Sequence, residues 1–350
     1  MKKMTGMLSF VLMLSLFAYP GFAEEKAIHW KVQGFMPAGM MLHQTFVRLA
    51  DEVKTVTNGR LVFDVYPGGA LVPGNEMAKA TSEGVLQAAY ILADLNVGTI
   101  PVAPMFTSVP GGFDPWGQTM WYENGGGKQL LQEMYDKYGF NVKSYPLFSV
   151  GMENFMWSKK PIKTLADLKS SKMRMLPFMG DVLTKHGFSV VNMPAGEIIP
   201  NLQRGVIQAA EYSSPSVDRS MGFHEICKYV IVPGVHQPSG TNLFIVNKNA
   251  YNSLPADLKV LLDTAIVSAS AKNGLWIAQQ NIDAVNFYMS KGVKIVRLDQ
   301  KTQDTLIQWA VEYMTELSAK DAFFTKVWKS VQDYGKIYYP FANDYSIIHK

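Results

Sequence analysis

Apolar positions along this chain recur at two spacings, and the two spacings take turns. "AIHWKVQGF" (27–35) alternates with period two and predicts a strand. "HQTFVRLADEVKTVT" (43–57) carries apolar residues at helical spacing and stops at Asn58-Gly59, a helix terminator. "RLVFDVYPGGAL" (60–71) reads as a strand entering a turn, "GNEMAKATSEG" (74–84) as a short helix closed by Gly84, and "VLQAAYI" (85–91) as a strand. A second series opens near residue 148. "DLKSSKMRML" (167–176) leads into a strand, "GDVLTKHGF" (180–188) is a helix ending at Gly187, and "SVVNMP" (189–194) is a strand. "EIIPNLQRG" (197–205) is a short helix closed by Gly205, and "VIQAAEY" (206–212) is a strand. Strands alternating with helices predict an α/β fold with largely parallel sheets.

One phrase occurs in both series. "GVLQAA" runs from Gly84 to Ala89 and opens onto Tyr90; "GVIQAA" runs from Gly205 to Ala210 and opens onto Glu211-Tyr212. Each copy follows the Gly that closes a helix and begins the next strand, so the order strand, helix, strand, helix, Gly, strand is written twice. The reading is two similar lobes. Coincidence is the alternative, because Gly-Val-aliphatic strand starts are common. Ligands on open α/β sheets bind beyond the carboxyl ends of strands, so Tyr90 and Glu211 are expected to face one another across an interlobe cleft.

One element is too long for either lobe. "LKVLLDTAIVSASAKNGLWIAQQNIDAVNFYMSK" (258–291) has no Pro and a single Gly, Gly274. As a helix it would extend roughly 50 Å, so it either kinks near Gly274 or crosses both lobes. "GGG" (125–127) before "KQLLQEMYDKYG" could cradle a phosphate. No GxGxxG or Walker spacing surrounds it, and a turn is the better reading.

Composition narrows the class. A chain of 350 residues that is 48% hydrophobic can bury two cores or one large α/β core. Residues 1–23 read as a secretory signal, with Lys2 and Lys3, an apolar run "MLSFVLMLSLFAY" (7–19) and a cleavage site near Ala23. The run falls short of the ~20 residues that span a bilayer. Loss of Lys2 and Lys3 takes the net charge from +4 to about +2. That balance, without a basic stripe, excludes a nucleic-acid partner. Cys227 is the single cysteine, so no internal disulfide forms, and its apolar context "EICKYVIV" predicts a buried, inert thiol. The six histidines, His29, His43, His186, His224, His236 and His349, show no ligand spacing.

Three segments together bring a family into view: "TNGRLVFDVYPGGAL" (57–71), "KMRMLPFMGDVLTKHGFSVVNMPAGEIIPNLQRGVIQAAEY" (172–212) and "NKNAYNSLPADLK" (247–259). In order and spacing they resemble the periplasmic solute-binding subunits of tripartite ATP-independent periplasmic (TRAP) transporters, over nearly the whole mature chain. "WYENGGGKQLLQEMY" (121–135), "GMENFMWSKKPI" (151–162) and "PGVHQP" (233–238) resemble the branch that binds 2-oxoacids and lactate. The resemblance implies a two-lobed periplasmic binding-protein fold with a long helix, about 257–291, crossing both lobes. Lobe I would comprise 24–148 plus about 238–275, and lobe II 149–237 plus about 276–350.

The resemblance also implies a site. Arg174 matches the family's ligand-carboxylate arginine, and a guanidinium fork suits a planar carboxylate. Glu211-Tyr212 matches the family's Glu-Trp pair, in which the Glu and the neighbouring carbonyl help hold a cation. Glu153, with Asn154 beside it, stands where the branch has Gln; Gln208 stands where Asp is usual and Tyr212 where Trp is. Tyr90 and Asp94 are expected from the opposite wall. Glu153, Glu211, a bound acid and Arg174 would leave a net −2, which a divalent ion cancels; hard oxygen ligands favour Ca²⁺, whereas a neutral Gln would suit Na⁺. An amino acid supplying its own ammonium is the alternative, and so is a Glu153 that points outward. No organic cofactor is implied. The expected partners are a small organic acid and the TRAP membrane permease, with the protein itself a monomer or homodimer. An aromatic acid remains open as ligand. A secreted enzyme using Glu153 and Glu211 as acid and base is the rival class, but no Gly-x-Ser-x-Gly or His-Glu-x-x-His motif accompanies it.

Overall fold

The computed structural model describes residues 26–345. The signal segment read at 1–23 lies outside the described residues. No helix among the described residues is long and apolar enough to cross a membrane.

Among the described residues, eleven strands form two sheets. The first holds β1 (Ile28–Gly34), β2 (Leu61–Tyr66), β3 (Ala88–Ile91), β4 (Val142–Ser149) and β10 (Thr241–Asn247), in the order β2-β1-β3-β10-β4. The second holds β5 (Met156–Ser158), β6 (Met173–Arg174), β7 (Val190–Val191), β8 (Ala209–Ala210), β9 (Tyr229–Val232) and β11 (Lys294–Arg297). Its order is β11-β9-β5-β8-β6-β7. Five of the nine strand pairs among the described residues are parallel; β10 is antiparallel to both neighbours in the first sheet, and β5 in the second.

The repeated phrase does one structural job twice. β3 sits between a parallel β1 and an antiparallel β10; β8 sits between a parallel β6 and an antiparallel β5. Gly84 and Gly205 both adopt positive φ, at 80° and 75°, which ends the preceding helix and turns the chain into the strand. The glutamine then clasps the neighbouring strand. Gln87 Oε1 accepts from Lys31 N at 2.9 Å, and Gln208 Oε1 accepts from Lys172 N at 2.9 Å. Each side-chain amide donates back to its own Gly carbonyl, Gly84 O and Gly205 O.

Strand alternation divides each lobe's core into two faces. In lobe I, Ala89, Ile91, Leu243 and Ile245 point into one cluster, while Ala88, Tyr90, Phe244 and Val246 point into the other. In lobe II the same division puts Ala209 and Ile231 on one side, and Ala210 and Val230 on the other. Cys227 is buried in the last of these, and burial pushes its thiol up to about 12.

The helix Ala256–Ser290 is continuous, without a break at Gly274. Leu258, Leu262 and Ile266 pack on lobe I, and Ala284 and Tyr288 on lobe II, so it joins the two. The C-terminal region departs from the expected assignment to lobe II. Helix Gln300–Ser318 buries Leu306 and Ala310 in lobe II, but helix Ala322–Asp344 returns to lobe I. Phe323, Val327 and Tyr338 complete the cluster around Trp121 and Tyr122. These side chains share that face with Met314 of helix Gln300–Ser318 and Leu131 of helix Gly127–Lys137. Gly125 and Gly126 form the turn between helices Pro115–Asn124 and Gly127–Lys137, which Gly127 opens.

Candidate ligand and cation site

β6 and β8 run side by side, with Arg174 opposite Ala210. Glu211, one residue past β8, donates its backbone N–H to Arg174 O at 3.1 Å. The strand ends therefore bring guanidinium and carboxylate together. Arg174 Nη1 donates to Glu211 Oε2 at 2.8 Å and to Glu211 O at 2.7 Å; Leu176 N donates to the same Oε2 at 3.1 Å. Arg174 is 5% exposed and Glu211 0%. Arg174 Nε and Glu211 Oε1 are buried without a hydrogen-bond partner.

Glu153 reaches the same place on the segment between β4 and β5, where the chain crosses between sheets. Its N–H donates to Gln237 O at 3.1 Å, fixing it against the return crossing, 233–240. That packing requires Gly234: a Cβ there would lie 2.1 Å from Glu153 O. The return crossing also carries His236, whose Nε2 is 3.4 Å from Glu153 Oε2 and whose ring stands edge-on to Phe155. One ligand atom each of Glu153, Glu211 and His236 falls within 4.8 Å of the others. Glu153 Oε2 and both His236 nitrogens lack partners. Three buried groups with open lone pairs in one cluster suit a cation, because each orphan otherwise carries a full desolvation cost.

The electrostatics follow from burial. Burial, then the Glu211 charge, holds the Glu153 carboxyl well above the carboxylate range, against Ser213 and Arg174. Burial depresses the His236 imidazole to about 4, so it is neutral near pH 7. Asp94, on the turn after β3, comes from lobe I. Burial pushes it up to about 7, with the Thr107 hydroxyl opposing and Glu211 adding. The lobes also touch directly, Gly111 N donating to Val235 O at 2.8 Å.

Arg174, Glu153 and Glu211 thus converge, with Asp94 within their field. Asn154 is adjacent, but its amide donates to Asp218 Oδ2 at 2.8 Å, where Trp157 Nε1 also donates at 2.7 Å. It braces the buried Asp218 instead of opening onto the cluster. Tyr212 lies half-buried against Phe223. Tyr90 corrects the expectation of a cleft wall. Strand alternation turns it inward, stacked between Phe35 and Phe46, with its hydroxyl 2.9 Å from Thr45 Oγ1. Two residues went unread. His236 sits in the "PGVHQP" segment that carries the resemblance, and that was its only signal; Asp218 had none.

Asp94 makes the stability of the fold pH-sensitive. The folded carboxyl keeps its proton to about pH 7, whereas an unfolded one loses it near 3.9. Between these the folded state holds more protons, so stability falls as pH rises through this window. His236 acts oppositely, weakening the fold as pH drops from about 6.5 towards 4. Asp94→Asn is expected to flatten the first slope in part, since Glu153, also held above the carboxylate range by burial, keeps a slope of the same sign. Urea titrations of unliganded protein from about pH 5 to about pH 8 check this; parallel profiles for variant and wild type would discard the assignment.

Two α/β lobes, joined by crossing segments and enclosing a buried arginine among carboxylates, define a two-lobed ligand-binding protein. Residues 33–321 match the family of bacterial extracellular solute-binding proteins, family 7, and the chain belongs to it. A monocarboxylate 2-oxoacid-binding periplasmic protein of Nostoc is 30% identical, over 88% of this chain and 84% of its own length. A TRAP periplasmic solute-binding protein of Colwellia psychrerythraea, solved with bound calcium and pyruvate, superimposes with a TM-score of 0.83. It is 29% identical, covering 91% of this chain and 97% of its own. One from Pseudoalteromonas atlantica, with bound sodium and pyruvate, gives 0.82 at 29% identity, covering 91% and 96%.

Proposed function

We propose that this protein is a non-catalytic periplasmic receptor for a small organic carboxylate of the 2-oxo or 2-hydroxy acid class. It captures the acid together with a cation between its lobes and delivers it to a TRAP membrane permease. The observation that carries this reading is the buried Arg174 whose Nε is unpaired, beside three unpartnered cation-ligating atoms. The guanidinium would take the planar carboxylate, and Glu153, Glu211 and His236 would hold the cation. That ion would neutralise the charge the acid adds and bridge it to the protein. The bound calcium or sodium of the pyruvate-binding neighbours supports the same arrangement.

Isothermal titration with pyruvate and lactate is the test. In excess chelator and sodium-free buffer, affinity is expected to fall by about tenfold or more, since loss of one charge-assisted contact already costs about 1.5–3 kcal/mol. A divalent ion should restore it. Full affinity without any metal cation would remove the cation from the mechanism. Small-angle scattering should show the protein more compact with acid bound, because ligand contacts from both lobes shift the balance to the closed form. Glu153 and Asp94 also favour a second reading, an amino acid whose ammonium takes the cation's place; its binding would be indifferent to chelator.

A further inference from the structure

Of the ligands available to a cation here, one is a nitrogen. His236 is 5% exposed, and neither ring nitrogen has a hydrogen-bond partner. Its Nε2 lies 3.4 Å from Glu153 Oε2, a separation two ligands take up around one ion. The ring is held from two sides: Phe155 packs on it edge-on, and Gly234, two residues before it, rests against the Glu153 carbonyl. On the opposite flank Arg174 and Leu176 N occupy Glu211 Oε2, which leaves Oε1 as the ligating oxygen. The donor set is therefore one imidazole nitrogen and two carboxylate oxygens. Ca²⁺ and Na⁺ are hard ions that take oxygen ligands, whereas imidazole suits Fe²⁺, Ni²⁺, Cu²⁺ and Zn²⁺, with Co²⁺ between Fe²⁺ and Ni²⁺ in affinity.

We propose that His236 ligates the cation and turns this site towards a first-row divalent transition ion, bound more tightly than Ca²⁺. This rests on the reading that a cation accompanies the acid. The carboxylate and keto or hydroxyl oxygens of such an acid would complete the coordination of the same ion, so metal and acid would bind as a pair.

The experiment strips the full mature protein with chelator and titrates Co²⁺, Ni²⁺ and Ca²⁺ in competition, with and without pyruvate. Co²⁺ and Ni²⁺ are expected to outcompete Ca²⁺ by about tenfold or more, and the Co²⁺ absorption spectrum should carry a nitrogen-ligand signature. His236→Gln should abolish both the preference and the spectral signature, with circular dichroism reporting whether the variant folds. Should it not fold, the wild-type competition decides alone. Ca²⁺ binding wild type as tightly as Co²⁺, or a His236→Gln variant that keeps the Co²⁺ preference, would overturn the proposal. Acid binding restored by Ca²⁺ and not by Co²⁺ would sink this inference and leave the receptor reading standing. No acid binding with any ion would sink the receptor reading itself.

Discussion

Replacing Arg174 with lysine is expected to lower carboxylate affinity by about tenfold or more, because an ammonium cannot reproduce the guanidinium's planar fork. The structure adds a second consequence. Arg174 Nη1 already holds Glu211 at both its carboxylate and its backbone carbonyl, and Glu211 has no exposure to water. Arg174→Leu leaves that carboxylate buried and unpaired, a cost of about 3–5 kcal/mol. Adding Glu211→Gln removes the stranded charge and should recover much of the stability, while acid binding stays lost. Denaturant titrations and calorimetry on the two single variants and the double variant form a closed cycle. If Arg174→Leu unfolds like wild type, the pair is not the buried unit described; if Arg174→Lys binds acid unchanged, Arg174 is outside the ligand's reach.

Gly234→Ala is expected to have the second largest effect. The added Cβ would sit 2.1 Å from Glu153 O and 2.8 Å from its carbonyl carbon, and backbone cannot yield as a side-chain tip does. Glu153 and His236 must move apart, at a cost of about 1–3 kcal/mol for overpacking. Cation-dependent acid affinity should fall with it. Gly98→Ala is the control, since nothing lies within 4 Å of its Cβ position. Equal behaviour of the two variants in denaturation and titration would dismiss the Gly234–Glu153 contact as a determinant of the site.

How much of this could be read in advance differs from residue to residue. The repeated phrase was legible because part of it acts locally, a positive-φ Gly ending a helix and opening a strand; the clasp of each Gln, on Lys31 and on Lys172, is a contact between distant segments that only the fold shows. Arg174 and Glu211 were legible through their match to a family pattern. Tyr90 was not, although it occupies the position equivalent to Glu211. Which side of β3 it takes, and what stacks on it, depends on Phe35 and on Phe46 of helix Met41–Val56. His236 is a lone histidine in a loop, with no periodicity to mark it. It comes beside Glu153 only where the crossings before β5 and after β9 lie against each other through Gly234.

By itself the sequence determined the alternation of strand and helix, the doubled order of elements and a long helical span near 258–291, whose course past Gly274 it left open. Those depend on hydrogen bonds and apolar spacing within a few residues or turns. Tertiary structure alone decided that helix Ala322–Asp344 closes lobe I, that Tyr90 is core, and that a histidine joins two glutamates. Each of these is a contact between segments distant along the chain. No local preference encodes them; they follow from which apolar faces remain to be covered once the sheets have formed, and from which polar groups that covering strands together.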